Sequence, residues 1–396
     1  MQTNKLSTLL WILSTLITTV VIMFLTIGSG LALLFTSCLI ISLIGWLSYT
    51  YKKPIEKTVI SGNYLVIIVL LMVLYTIRYA SGFSEFIYLN YTGLFADGLI
   101  FDHTNWFVWA VCLPISMLLF GGYLISRNYF AGSFFVWFNL VYATLESLIQ
   151  MYVELINITE YNHLYFAGIL LSMVLFYLSI YGILRLIKRK QATIVNIKLT
   201  SLNKRQKNLW TILFASFILV YAITLVSTAG KLPLGVVVGS MVGGLIGWRL
   251  TTANYAADPQ KFLPLYLLLL TFFFIHIGEE VLTHFNRDIA QISGTPWSDS
   301  HFDYLITFIG PIVWIYAAYS LWKGQAFGNF ILWFMVVGMI LGEPTHLLVF
   351  PIVKMAKFGG NYEYFSGMYT ALFPMIPAII ALPMLIRDYK KSKTIA

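Results

Sequence analysis

The stretch Tyr266 to Phe285 reads YLLLLTFFFIHIGEEVLTHF. Its first ten residues carry no charge, and then come His276, Glu279, Glu280 and His284. A helix rises about 1.5 Å per residue, so about 20 apolar residues cross a hydrocarbon layer about 30 Å thick. The segment 262–285 is long enough to do so, and its histidines and carboxylates are confined to its last ten positions. The segment therefore reads as a membrane-spanning helix that carries ionisable side chains at depth.

The rest of the chain agrees with that reading. Of its 396 residues, 59% are hydrophobic and only 10% charged, with a mean hydropathy of +0.82. A soluble protein needs far more charge to cover its surface, so soluble classes are excluded. Apolar runs bounded by short polar breaks predict helices near residues 7–27, 30–50, 59–79, 105–126, 130–154, 164–187, 208–228, 232–249, 262–285, 304–322, 327–349 and 365–386. The expected fold is an all-α, polytopic integral membrane helix bundle of about twelve spans. The first run lacks a small-residue cleavage site and is followed at once by a second span, so it reads as a retained helix. Cys38 and Cys112 both fall within spans and read as small apolar fillers.

Twenty-five Lys and Arg stand against 16 Asp and Glu, and the positions matter more than the excess. Lys52, Lys53 and Lys57, the cluster from Arg185 to Lys207 with Lys188, Arg189, Lys190, Lys198, Lys204 and Arg205, and Arg387 to Lys393 fall on one side of a twelve-span topology. Glu85, Asp97, Asp102, Glu160, Asp288, Asp299 and Asp303 fall on the other, with Lys231, Lys354 and Lys357 as exceptions. Positive charge marks the cytoplasmic side, which puts both termini inside and makes the lipid bilayer, rather than nucleic acid, the partner of the basic residues. A bacterial plasma membrane is the expected location.

The chain also echoes itself at an offset of about 200 residues. Leu43–Trp46 and Leu245–Trp248 both read LIGW; Tyr64-Leu65 returns as Tyr266-Leu267, His103 as His301, and Pro114 as Pro311. Phe135–Phe138 returns as Ile331–Phe334, and Tyr165-Phe-Ala-Gly168 as Tyr364-Phe-Ser-Gly367. An ordered series of this kind predicts two parallel six-helix repeats. Residues 1–190 would form a degenerate first repeat, 191–207 a basic cytoplasmic linker, and 208–396 a second repeat. Polar residues are concentrated in the second: Leu74, Ile77 and Arg78 face the positions of His276, Glu279 and Glu280.

On a helix of 3.6 residues per turn, positions 276, 279, 280 and 284 share a stripe. A charge at mid-bilayer costs about 2.5 to 3.5 kcal/mol, and adjacent carboxylates repel, so the pair needs a cation, an arginine or a proton. A second cluster, Gly342-Glu-Pro-Thr-His346, puts Glu343 and His346 three apart beside a proline that interrupts the helix. Carboxylates and imidazoles at such spacings suit a divalent metal, zinc or iron, held by His276, Glu280, Glu343 and His346. Glu279 is then the expected general base, with Glu146, His284 and Arg78 as outer supports; a two-metal set would have to recruit Glu146 or Glu363.

The sequence HIGEE at His276–Glu280, the later His346, and Tyr364-Phe-Ser366-Gly367 followed by Thr370-Ala371 together resemble the HXXEE-motif membrane proteins over residues 262–386. Ser366 stands where that family has proline. The resemblance implies the motif's importance but no particular reaction.

Three functional classes fit these residues. A metal-dependent membrane enzyme, hydrolytic or oxidative, would act on a lipid or isoprenoid-like substrate from the outer leaflet. A secondary transporter would use the carboxylates to couple H⁺ or Na⁺, and a binding protein would turn nothing over. The structural alternative is a buried ion pair in which Arg78 meets Glu280. An intramembrane glutamic protease is disfavoured, because His284 stands where such a motif needs arginine.

Overall fold

A computed structural model describes residues 5–52, 61–90, 105–156, 163–188 and 201–395. Lys53, Lys57, Asp97, Asp102, His103, Glu160, Arg189, Lys190, Lys198 and most of the expected linker lie outside them. Among the described residues helices account for the regular structure, no strand occurs, and twelve helices are long and apolar enough to cross a membrane. The chain is a multi-pass membrane protein. It divides into two compact units, Met1–Val195 and Asn196–Ala396.

The first unit runs α1 (Lys5–Thr26), α2 (Ser29–Gly45), a π turn over Trp46–Thr50, α3 (Ser61–Ala80), α4 (Phe83–Asn90), α5 (Asn105–Ser126), α6 (Gly132–Ile156) and α7 (His163–Ile187). The α6 helix packs on α2, α5 and α7, and is among the most buried of the unit. The α1 helix, which packs on α2, is mostly exposed, with Leu6, Leu10 and Ile17 turned outward, as expected of a face that meets lipid. Hydroxyls within the spans return to their own helix: Thr15 donates to the Trp11 carbonyl at 3.0 Å and Ser42 to that of Cys38 at 2.7 Å. That satisfies a polar group where no water is available.

The second unit runs α8 (Lys204–Ala229), α9 (Lys231–Leu250), α10 (Pro259–Leu282), α11 (Phe285–Ser293), α12 (Asp299–Phe302), a π segment to Ile309, α13 (Gly310–Trp322), α14 (Ala326–Leu341), a π turn over Thr345–Val349, α15 (Phe350–Phe358) and α16 (Leu372–Ile395). Its centre is α10, which packs against α13 and α16 and has 78% of its most apolar window buried. The glycine-rich α9 lies close against α14. A Cβ on Gly244 would come within 2.6 Å of the Phe334 backbone, and one on Gly247 within 2.5 Å of the Trp333 ring. Glycine is required there by the closeness of the two helices.

Three expected boundaries move. The ninth expected span, α10, ends at Leu282, not 285, because His284 takes the left-handed conformation (φ 58°) and the chain restarts as α11. The eleventh span breaks after Leu341 and then winds as a π turn, since Pro344 cannot donate to the helical ladder. The last helix begins at Leu372 rather than 365, leaving residues 359–371 as a connection that folds back onto α10.

Candidate metal centre

His276 and Glu280 lie one turn apart on α10, and both are buried. His346 comes from the π turn after α14, and Glu343 from the break just before it. The break is what delivers them. A continuous helix would carry the chain straight on, whereas the π winding after Pro344 holds both side chains against α10.

The His276, Glu280 and His346 donor atoms all lie within 4.8 Å of one another. Glu280 Oε1 is 3.6 Å from His276 Nε2 and 3.5 Å from His346 Nε2. Ligands held about 2.1 Å from a tetrahedral ion stand about 3.4 Å apart, which is the spacing found. Glu343 Oε2 approaches His276 Nε2 to 2.9 Å in an alignment that makes no hydrogen bond, and both buried atoms have no hydrogen-bond partner. The two atoms form an ion pair if the imidazole is protonated and offer two donors to a cation if it is neutral. The buried His276, Glu280, His346 group could hold a metal ion.

The tautomers agree. The Thr370 hydroxyl donates to Glu279 Oε2, so its oxygen is left to accept from His276 Nδ1, at 3.0 Å. His346 Nδ1 donates to the Ser366 carbonyl at 2.9 Å. With the proton on Nδ1 in each ring, both Nε2 lone pairs turn toward Glu280, the arrangement a metal needs. Phe285 stacks on the His346 ring at 4.8 Å and 26°, fixing its plane.

The segment 364–370 packs over both imidazoles of the site. Gly367 (φ 81°) lies on both imidazoles: a Cβ there would stand 2.7 Å from His346 Nδ1 and 2.9 Å from His276 Cε1. The Ser366 hydroxyl is 2.6 Å from the Thr283 carbonyl and 2.7 Å from Asp288 Oδ2, which ties the segment to the end of α10 and to α11.

Glu279, the expected base, points elsewhere. It is half-buried, and its carboxylate accepts from the Tyr364 hydroxyl (2.7 Å), the Tyr369 and Thr370 backbone amides (3.1 and 2.8 Å) and the Thr370 hydroxyl. Neighbours on a helix differ by about 100° in direction, so Glu280 faces the histidines and Glu279 faces the 364–370 segment. Burial, and after it the Glu279 carboxylate, push the Tyr364 phenol up to about 12, keeping it a donor.

The expected outer supports also separate. His284 leaves the stripe because it ends the helix in a left-handed turn, and it is outside the donor group. Arg78 donates through Nη1 to Glu146, through Nε to Gln150 at 2.6 Å and through Nη2 to the Glu146 carbonyl at 2.8 Å, all within the first unit. The Arg78 guanidinium is thus satisfied without Glu280, and Glu146 is occupied in holding it. Glu363 is exposed.

A cavity of about 120 Å³ reaches this cluster within the second unit. Its walls are mostly apolar, formed by side chains such as Val236, Phe273, Trp314, Phe334 and Met339, and Glu280, Glu343 and His346 are among the residues that line it.

No protein-family model, no curated protein and no solved structure matches this chain.

Proposed function

We propose that the protein is a metal-dependent, membrane-embedded enzyme acting on a lipid or isoprenoid-like substrate. The observation that carries the reading is the buried His276, Glu280 and His346 donor group at ligand spacing, with Glu343 Oε2 2.9 Å from His276 Nε2, beside an apolar cavity that Glu280, Glu343 and His346 help to line. His276, Glu280 and His346 would hold a divalent ion, zinc or iron, which when bound would supply Lewis acidity or, as iron, redox chemistry. Glu343 takes the acid–base role first expected of Glu279. It lines the cavity and carries an uncommitted carboxylate oxygen, whereas every lobe of Glu279 is engaged. Glu279 becomes a positioning residue that sets the His276 tautomer through Thr370.

The cavity supports the substrate class. A space of about 150 Å³ lined by apolar side chains accepts benzene, so the 120 Å³ here suits one branched, roughly five-carbon unit rather than a whole lipid. The remainder of a long chain would lie in the bilayer. Membership of the HXXEE-motif proteins belongs to the same proposal: His346, Tyr364, Gly367 and Thr370 each touch the cluster or the carboxylate behind it. So does an approach from the outer leaflet.

Metal content decides first. Purified protein should carry about one equivalent of zinc or iron, lost from His276→Ala and Glu280→Ala proteins that remain monodisperse. The metal-loaded protein, incubated with membrane lipid extract, should then form a product seen by mass spectrometry and absent with Glu343→Gln. Wild-type protein that stays metal-free after anaerobic reconstitution would sink the proposal and leave ion coupling by the carboxylates as the reading to pursue.

A further inference from the structure

The two units, each taken by itself, repeat the same contacts at the same places. In the first, a Cβ on Gly45 would strike the Trp137 ring at 2.5, 2.8 and 2.8 Å; in the second, a Cβ on Gly247 would strike the Trp333 ring at 2.5, 2.8 and 2.9 Å. Gly132 lies against the backbone of Ile125, and Gly328 against that of Leu321. Tyr64 donates to the Leu118 carbonyl at 2.6 Å, and Tyr266 to that of Trp314 at 2.9 Å. The pairs α1–α2, α2–α6, α5–α6 and α3–α7 pack as α8–α9, α9–α14, α13–α14 and α10–α16 do. Each correspondence follows the register of the sequence echoes.

That register, carried into the polar clusters, sets Arg78 at the position of Glu280 and Gln150 at that of His346, with Glu146 one residue from the position of Glu343. The helix break matches too: Gly82 (φ 75°) precedes Phe83 as His284 (φ 58°) precedes Phe285. Phe83 covers the Arg78 guanidinium at 4.8 Å, and Phe285 covers the His346 ring at 4.8 Å. Gly168 presses on Gln150 and Glu154 as Gly367 presses on His346 and His276. In the first unit the space between these groups holds a cation already, the guanidinium, gripped by Glu146 and Gln150.

We infer that the units are one helical fold used twice, and that the first contains the same cation site with its cation built in as Arg78. The metal-free first site is complete; the second exchanges the arginine for Glu280 and so takes its cation from outside. This rests on the metal reading only for the nature of the external ion. Of the two corresponding sites, only that of the second unit accordingly binds metal.

The test exchanges the two solutions. Glu280→Arg supplies a guanidinium beside Glu343 and His346, so that protein should lose at least nine-tenths of its metal (about tenfold), yet unfold in detergent near the temperature of the wild type and no longer respond to chelator. Glu280→Ala should lose the metal and unfold at a lower temperature. If Glu280→Arg is the less stable of the two, or fails to accumulate where Glu280→Ala does, the equivalence is overturned. The converse protein, Leu74→His with Arg78→Glu and Gln150→His, should take up a second equivalent of metal; folded protein without it would count against the inference. Should the wild type hold no metal at all, the proposed function fails, while the stability order of Glu280→Arg and Glu280→Ala still decides this point.

Discussion

His276 is held between a hydroxyl and two carboxylates, and the direction of one proton determines what it can do. The Thr370 hydroxyl spends its hydrogen on Glu279, which keeps the His276 proton on Nδ1 and the lone pair on Nε2. Glu279→Gln keeps the shape but can turn an NH₂ toward Thr370. The hydroxyl is then free to donate to Nδ1, and the proton moves to Nε2. Metal affinity should fall about 10- to 100-fold, the usual cost of losing a residue that orients a ligand, although no ligand has changed. Competition with a chromogenic chelator measures it, and unchanged affinity would remove Glu279 from the positioning role. Gly367→Ala acts on the same two rings. A side chain there meets a left-handed backbone that costs about 1–3 kcal/mol and also lies 2.7 Å from His346 Nδ1. Both lower thermal stability and reduced metal occupancy are expected; lowered stability with full occupancy would mean that the segment moves without the histidines.

The candidate site residues sit close to the places where helices end. The α10 helix stops at Leu282, α14 stops at Leu341, and α16 starts only at Leu372. Each interruption leaves backbone groups to be satisfied inside the unit, and the polar side chains that satisfy them are those around the candidate site. His284 illustrates the element scale: its left-handed backbone, not its imidazole, is what the α10–α11 junction uses. His284→Gly should leave metal content unchanged and hold or raise stability by roughly 0.5–1 kcal/mol, since glycine adopts this conformation without strain. Loss of metal in that protein would restore His284 as a ligand.

For the whole molecule, cation balance is the governing quantity. Glu280 and Glu343 are buried with neutral histidines in the proposed protonation state, and two uncompensated carboxylates in a membrane interior are costly. A bound divalent ion would offset them and link stability to metal: at free metal about 100-fold above Kd the stabilisation would be about 2.7 kcal/mol. Chelator should therefore lower the unfolding temperature of the wild type in detergent, and should have no effect on His276→Ala. An equal shift in both proteins would show that the chelator acts elsewhere.

Hydropathy alone was enough to count the spans, because lipid forces each crossing to be a long apolar helix and leaves no other local solution. The same logic singled out His276, Glu280, Glu343 and His346, whose polarity has no place in a span without a reason. Direction was not legible. Glu279 and Glu280 are neighbours in the chain, and only the packing of the 364–370 segment against one flank of α10 and of the α14 break against the other gives them different partners. Arg78 looked free to meet Glu280 until the first unit supplied Glu146 and Gln150. Composition and spacing are properties of the chain, and they determined the membrane class, the number of spans and the chemical types in the candidate site. Which side chain faces which depends on where helices end and what closes over them, and that was decided by tertiary packing.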